Sequence, residues 1–128
     1  MSSELNILAL YGLLVLVLIV VQVLFAMSQV GLPMLARPRD DMPRLTGVAG
    51  RMERCVANSV TAMALFAPAV LILAAREGFG GGTLLATQVF LIARLAYALL
   101  YPAGIPWART AVWGLGFFAT LYLYVAAL

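Results

Sequence analysis

Apolar and polar positions fall in long blocks along this chain, and the blocks predict four membrane-spanning helices. From about Leu5 to Met27 no charge interrupts the apolar run, and Gln22 is the polar residue near its end. As a helix this run covers the ~30 Å of a hydrocarbon core. Between Ser28 and Gly50 the character changes: Pro33, Pro38, Pro43, Gly31 and Gly47 mix with Arg37, Arg39, Arg44, Asp40 and Asp41. That composition predicts a polar connecting loop within one domain. A second helical pattern runs from Arg51 to Ala75, polar in its first two turns and apolar from Ala62 onward apart from Pro68, where a kink is expected. Arg76 to Gly82 reads as a short turn. A third run covers Thr83 to Tyr101 with Arg94 inside it, Pro102 to Pro106 breaks the pattern, and a fourth run follows from Trp107. The expected architecture is an all-α membrane protein, a four-transmembrane-helix bundle in a single domain over 1–128, with helices at about 5–27, 51–75, 83–101 and 107–128.

Composition agrees. With 128 residues, 65% hydrophobic and 10% charged, the chain is too short to hide its apolar surface inside itself, so the bilayer must act as its solvent. The first run reads as a retained span: it is too long for a cleaved signal, Glu4 is the only charge before it, and no clear small-residue cleavage site follows. All eight basic residues are arginine and histidine is absent, which removes the commonest metal ligand and general base. The lone Cys55 excludes an internal disulfide and a cysteine-rich metal site, so no metal is expected. A net charge of +3 without a basic block gives no nucleic-acid footprint. Arginines concentrate in the first loop and at the third connection, so these are expected on the cytoplasmic side and both termini opposite.

Placed on helices, the polar residues form stripes. Arg51, Arg54, Asn58 and Thr61 are spaced 3, 4, 3 along the second helix; Arg94, Tyr97 and Tyr101 repeat the 3, 4 spacing on the third; Arg109 and Trp113 are one turn apart on the fourth. The second and fourth helices start where the third ends, so all three stripes are expected at one depth. An arginine at the helix centre, as Arg94 approaches, costs about 2.5–3.5 kcal/mol to insert. Glu53, the acid within the spans, falls ~200° round the helix from Arg51 and faces elsewhere. Arginines without a facing acid point to an anionic ligand, and helix N-termini attract anions as well. Taken singly, Arg51, Arg109 and Trp107 equally suit snorkelling to phosphate headgroups and an aromatic belt. Asn58 and Thr61 also suit bonds across helices, Gly114 and Gly116 suit helix packing, and Cys55 suits a buried inert thiol.

Two segments resemble a known family. Arg51-Met-Glu-Arg54-Cys-Val-Ala-Asn58 through Phe66 is similar to the second-helix motif of MAPEG, the membrane-associated proteins in eicosanoid and glutathione metabolism. Ala93-Arg94-Leu-Ala-Tyr97-Ala-Leu-Leu-Tyr101, followed by Gly104-Ile-Pro106-Trp-Ala-Arg109-Thr110, is similar to its bacterial members in particular. The resemblance covers nearly the whole chain. It implies a left-handed bundle that forms a homotrimer in the bacterial inner membrane, with glutathione as cosubstrate between subunits near the cytoplasmic face. Carried over by position, Arg51, Arg54, Asn58, Arg94, Tyr97 and Tyr101 would bind the tripeptide, and Arg109 would stabilise its thiolate for attack on a lipophilic electrophile or peroxide. Thr61 stands where the family motif carries a glutamate, and Gln29 and Val30 stand where its enzymes often carry a basic residue. These departures keep open a non-catalytic alternative, an accessory subunit of a larger membrane complex or a lipid-binding protein. A channel is disfavoured, because the arginines occupy one leaflet and no polar path continues beyond it.

Overall fold

The structure, a computed structural model, describes residues 3–38 and 40–128; Arg39, counted above among the loop cations, lies outside them. The described residues are helical and turn segments without a strand: α1 Ser3–Val30, α2 Leu32–Ala36, α3 Gly47–Ala75, α4 Thr83–Leu100 and α5 Pro106–Ala127. Four of these, all but α2, are long and apolar enough to cross a membrane. In lipid each backbone N–H and C=O must find its partner within the protein, which a helix achieves by itself. The protein is an integral, multi-pass membrane protein.

Two boundaries differ from the pattern in the sequence, for local reasons. Helix α1 runs on to Val30 because Gln29 ties its last turn to the entry of α3. The Gln29 amide accepts from the Thr46 backbone N–H at 2.8 Å and donates to the Thr46 carbonyl at 3.1 Å. Helix α3 starts at Gly47, one turn before Arg51. Gly50, which reads in sequence as punctuation, is helical and buried: a Cβ there would stand 2.7 Å from the Leu45 carbonyl oxygen, so glycine permits the loop to cross close by. Arg51 therefore sits in the second turn, where the helix dipole opposes it less.

Pro68 sits inside α3, which runs unbroken through it. The ring removes one ladder donor, and three residues earlier the Tyr124 hydroxyl on α5 donates to the Leu65 carbonyl at 2.6 Å.

Neighbouring helices form a ring in the order α1, α3, α5, α4, so that α3 and α4 face each other across the bundle. Long side chains bridge that diagonal. Phe66 and Phe90 stack in the centre with ring centroids 3.8 Å apart, and Tyr11 from α1 packs edge-on against both. Around them Val15, Val70, Leu73 and Leu123 complete an apolar core. At the far end, the buried carboxylate of Glu4 accepts from the Thr83 hydroxyl at 2.8 Å, and Arg76 donates to the Ala127 carbonyl at 2.9 Å. These bonds tie the first turn of α1 to that of α4, and the second inter-span turn to the end of α5. Much of α1 (Leu10, Leu13, Leu16, Val20 and Leu24) is exposed, as suits a surface whose solvent is acyl chains.

Candidate functional site

One turn from the aromatic centre, on the same face of α4 as Phe90, stands Arg94. It is 2% exposed. Its Nη1 donates to Asn58 Oδ1 at 2.9 Å and its Nη2 to Ser59 Oγ at 3.1 Å, both across the diagonal on α3. The guanidinium carbon lies 4.2 Å above the Tyr97 ring. From α1 the Tyr11 hydroxyl donates to the Ser59 carbonyl at 2.7 Å, fixing the backbone that carries these acceptors. Every one of these partners is neutral. Arg94 Nε has no hydrogen-bond partner among the described residues, and no carboxylate there pairs with the guanidinium. Among the described residues an ion pair joins Arg37 and Asp41 at 3.5 Å, in the exposed first loop, where such a pair contributes little. Hydrogen bonds and a ring face temper the desolvation of Arg94 without cancelling its charge.

Beyond Asn58 opens a polar pocket of about 280 Å³. Helix α3 supplies Arg54 and Asn58, the end of α4 supplies Tyr97 and Tyr101, and α5 supplies Arg109, Thr110 and Trp113. Arg54 Nε donates to the Tyr101 hydroxyl at 3.2 Å, and the Arg109 guanidinium stacks 4.5 Å above the Tyr101 ring. Tyr101 thus places two cations from different helices on one wall. Arg51 donates its Nε to the Pro102 carbonyl at 2.9 Å, and so ties α3 to the turn that aims α5.

Next to this pocket runs an apolar cleft of about 310 Å³ between α3, α4 and α5. Ala62, Leu65, Phe90, Phe117 and Leu121 give it hydrocarbon walls, and Thr61 and Arg94 border it. Asn58 and Trp113 belong to both spaces, so the polar pocket and the cleft adjoin. Thr61 donates its hydroxyl to the Ala57 carbonyl one turn back, at 3.0 Å.

Of the residues singled out in the sequence, Arg54, Asn58, Tyr97, Tyr101 and Arg109 meet in the polar pocket. Arg94 and Thr61 border the cleft, with Arg94 on the inner side of Asn58. Ser59 and Tyr11 complete the arrangement and were not read from the sequence. A signal for Ser59 exists: it is the polar member of a buried stripe, Met52, Cys55, Ser59 and Phe66, at helical spacing. Tyr11 is an aromatic hydroxyl inside an apolar span, which needs an acceptor there. Cys55 is fully buried in the packing around Met52 and Tyr97. Gly116 gives the Arg94 stem room on α5, where an added Cβ would touch Cδ at 3.5 Å, whereas one on Gly114 would meet nothing within 4 Å. Among the described residues no group of three or more His, Cys, Asp or Glu could hold a metal ion.

Compared with known proteins, residues 5–128 match a family model, that of the MAPEG family. No curated protein and no solved structure matches the chain.

Proposed function

The chain belongs to the MAPEG family of membrane proteins, whose name refers to eicosanoid and glutathione metabolism, and from that membership we propose that it binds glutathione and uses its thiol against lipophilic electrophiles or peroxides. The observation that carries this reading is the adjacency of a doubly cationic pocket and a hydrocarbon cleft across Asn58 and Trp113. A water-soluble acidic thiol suits the first and a bilayer-dissolved partner suits the second. In this reading Arg54, Asn58 and the two tyrosines hold the tripeptide, with Arg51 and Arg94 supporting them. Arg109 sits by the sulfur, where its guanidinium favours the thiolate over the thiol. The sulfur then forms a bond to the electrophilic carbon as the leaving group departs with its electron pair. With a hydroperoxide the thiolate attacks the terminal oxygen and the O–O bond breaks. The glutathione sulfur becomes a sulfenic acid, the departing alkoxide takes up a proton as the alcohol, and a second glutathione converts the sulfenic acid to the disulfide with release of water. The working unit is a homotrimer in the bacterial inner membrane, with loops one and three on the cytoplasmic side.

A glutathione titration of the detergent-solubilised protein, followed by thermal stability and by thiolate absorbance, tests the reading. Glutathione stabilises the wild type and ionises on it, Arg109→Ala abolishes the ionisation, and Arg94→Ala weakens binding. Absence of both effects in the wild type at cellular glutathione concentrations refutes the proposal.

One observation favours a second reading, a non-catalytic subunit or lipid-binding protein: Thr61 spends its hydroxyl on its own helix, and no acid lines the pocket. Anionic lipid retained at the arginines through purification, together with no conjugation rate, would favour it. A conjugation rate that vanishes in Arg109→Ala would exclude it.

A further inference from the structure

The polar pocket holds two guanidinium groups, Arg54 and Arg109, and no carboxylate. Of its neutral side chains, Asn58, Tyr101 and Trp113 offer donors, while Thr110, whose hydroxyl donates to the Pro106 carbonyl, offers an uncharged acceptor. Asn58 Oδ1 is occupied by Arg94, so the amide turns its NH2 away from the guanidinium. The Tyr101 hydroxyl oxygen already accepts from Arg54. The Trp113 indole has a donor and no acceptor. On the inner side of Asn58, the buried guanidinium of Arg94 adds a third cation, with Nε unpartnered and no acid beside it among the described residues. Glu53 is on α3 but borders neither the pocket nor the cleft.

A ligand's ammonium group entering the pocket meets the two guanidinium groups that line it, with a third behind Asn58, and no compensating charge in the lining. A ligand's carboxylates meet donors on every wall. We infer that the pocket recognises its ligand through anionic groups alone, so that the free amino group of a γ-glutamyl thiol is dispensable and the preferred ligand class is an acidic thiol with no ammonium. The inference rests on the reading of the pocket as a glutathione site and specifies which parts of the tripeptide are gripped. Thr61 borders the adjoining cleft, outside the pocket lining and one turn from Asn58, with its hydroxyl committed to Ala57. A carboxylate introduced there would add the negative charge that this space lacks, which makes it the specificity-determining position of the proposal.

The test is a binding titration of the full-length protein in neutral detergent with glutathione and with its deamino analogue, in which a glutaryl group replaces the γ-glutamyl group. The analogue is no bulkier and one unit more negative. Its dissociation constant is expected at or below that of glutathione. Binding of the analogue at least about tenfold weaker than glutathione overturns the inference and leaves the glutathione reading standing, since a site built to pair a group rejects a ligand lacking it strongly. Binding of the analogue without glutathione upholds the inference and removes glutathione as the natural ligand. Binding of neither removes both. In Thr61→Glu, the preference is expected to swing at least about tenfold toward glutathione; an unchanged ratio overturns the assignment of Thr61.

Discussion

Arg94 is a guanidinium held in a bilayer-spanning bundle by neutral groups. Removing Arg94 strips the donor from Asn58 and Ser59, which costs stability, but it also removes a buried charge that no carboxylate among the described residues neutralises, which restores it. Arg94→Met is therefore expected to hold or raise the melting temperature without ligand, while the further stabilisation by glutathione shrinks. A thermal melt with and without ligand reads both. Loss of apo stability with undiminished ligand response would assign Arg94 to architecture alone. At Arg109 the consequence is chemical. Removing one group that stabilises developing or resident negative charge costs about 10²–10³-fold in rate, so Arg109→Ala is expected to lower conjugation by that factor with little change in melting temperature. Arg109 stacks on Tyr101 at the pocket wall and carries no part of the core.

Helix α3 is the element on which the site depends, because it carries Arg54, Asn58, Ser59 and Thr61 and begins where Gly50 lets the Leu45 carbonyl pass. Gly50→Ala would put a Cβ against backbone that has no rotamer to give way. It is expected to cost about 1–3 kcal/mol, the range for overpacking. Gly114→Ala is the control: with open space around the new Cβ, the change is expected to be neutral or to stabilise by up to about 1 kcal/mol. Parallel thermal melts separate the two. Further along α3, Phe66 stacks on Phe90 across the diagonal, and Phe66→Ala is expected to lose about 3–5 kcal/mol. These contrasts were partly legible in the sequence. The 3, 4, 3 stripe placed Arg54, Asn58 and Thr61 along one side of a helix, and glycine marked position 50. Whether that glycine closed the loop or lay inside the helix beside a crossing segment of loop depended on Leu45, five residues away and outside the helix.

For the whole molecule, the broad apolar exterior of α1 and the small number of charges make a lipid-embedded bundle, and the proposed homotrimer would cover part of that exterior with other copies. Native mass spectrometry in detergent is expected to give three copies per particle; a monomer that still binds glutathione would remove the trimer from the mechanism. Cysteine at position 44 is expected to react from the cytoplasmic side and at position 81 from the opposite side. Cys55 is fully buried and should stay silent in both variants.

Blocks of apolar residues about a bilayer long, separated by proline, glycine and arginine, determined from sequence alone that four helices would cross a membrane, because lipid leaves the backbone few other ways to satisfy itself. Helical periodicity placed the polar stripes at one end for the same local reason. What only the folded bundle decided was which of those polar groups meet each other and which meet a ligand. Ring order set α3 opposite α4, Arg94 reached across to Asn58 and Ser59, and Tyr11 closed on Ser59 from α1. Contacts between residues 35 to 48 positions apart are set by packing of whole helices, and no periodicity within one helix encodes them.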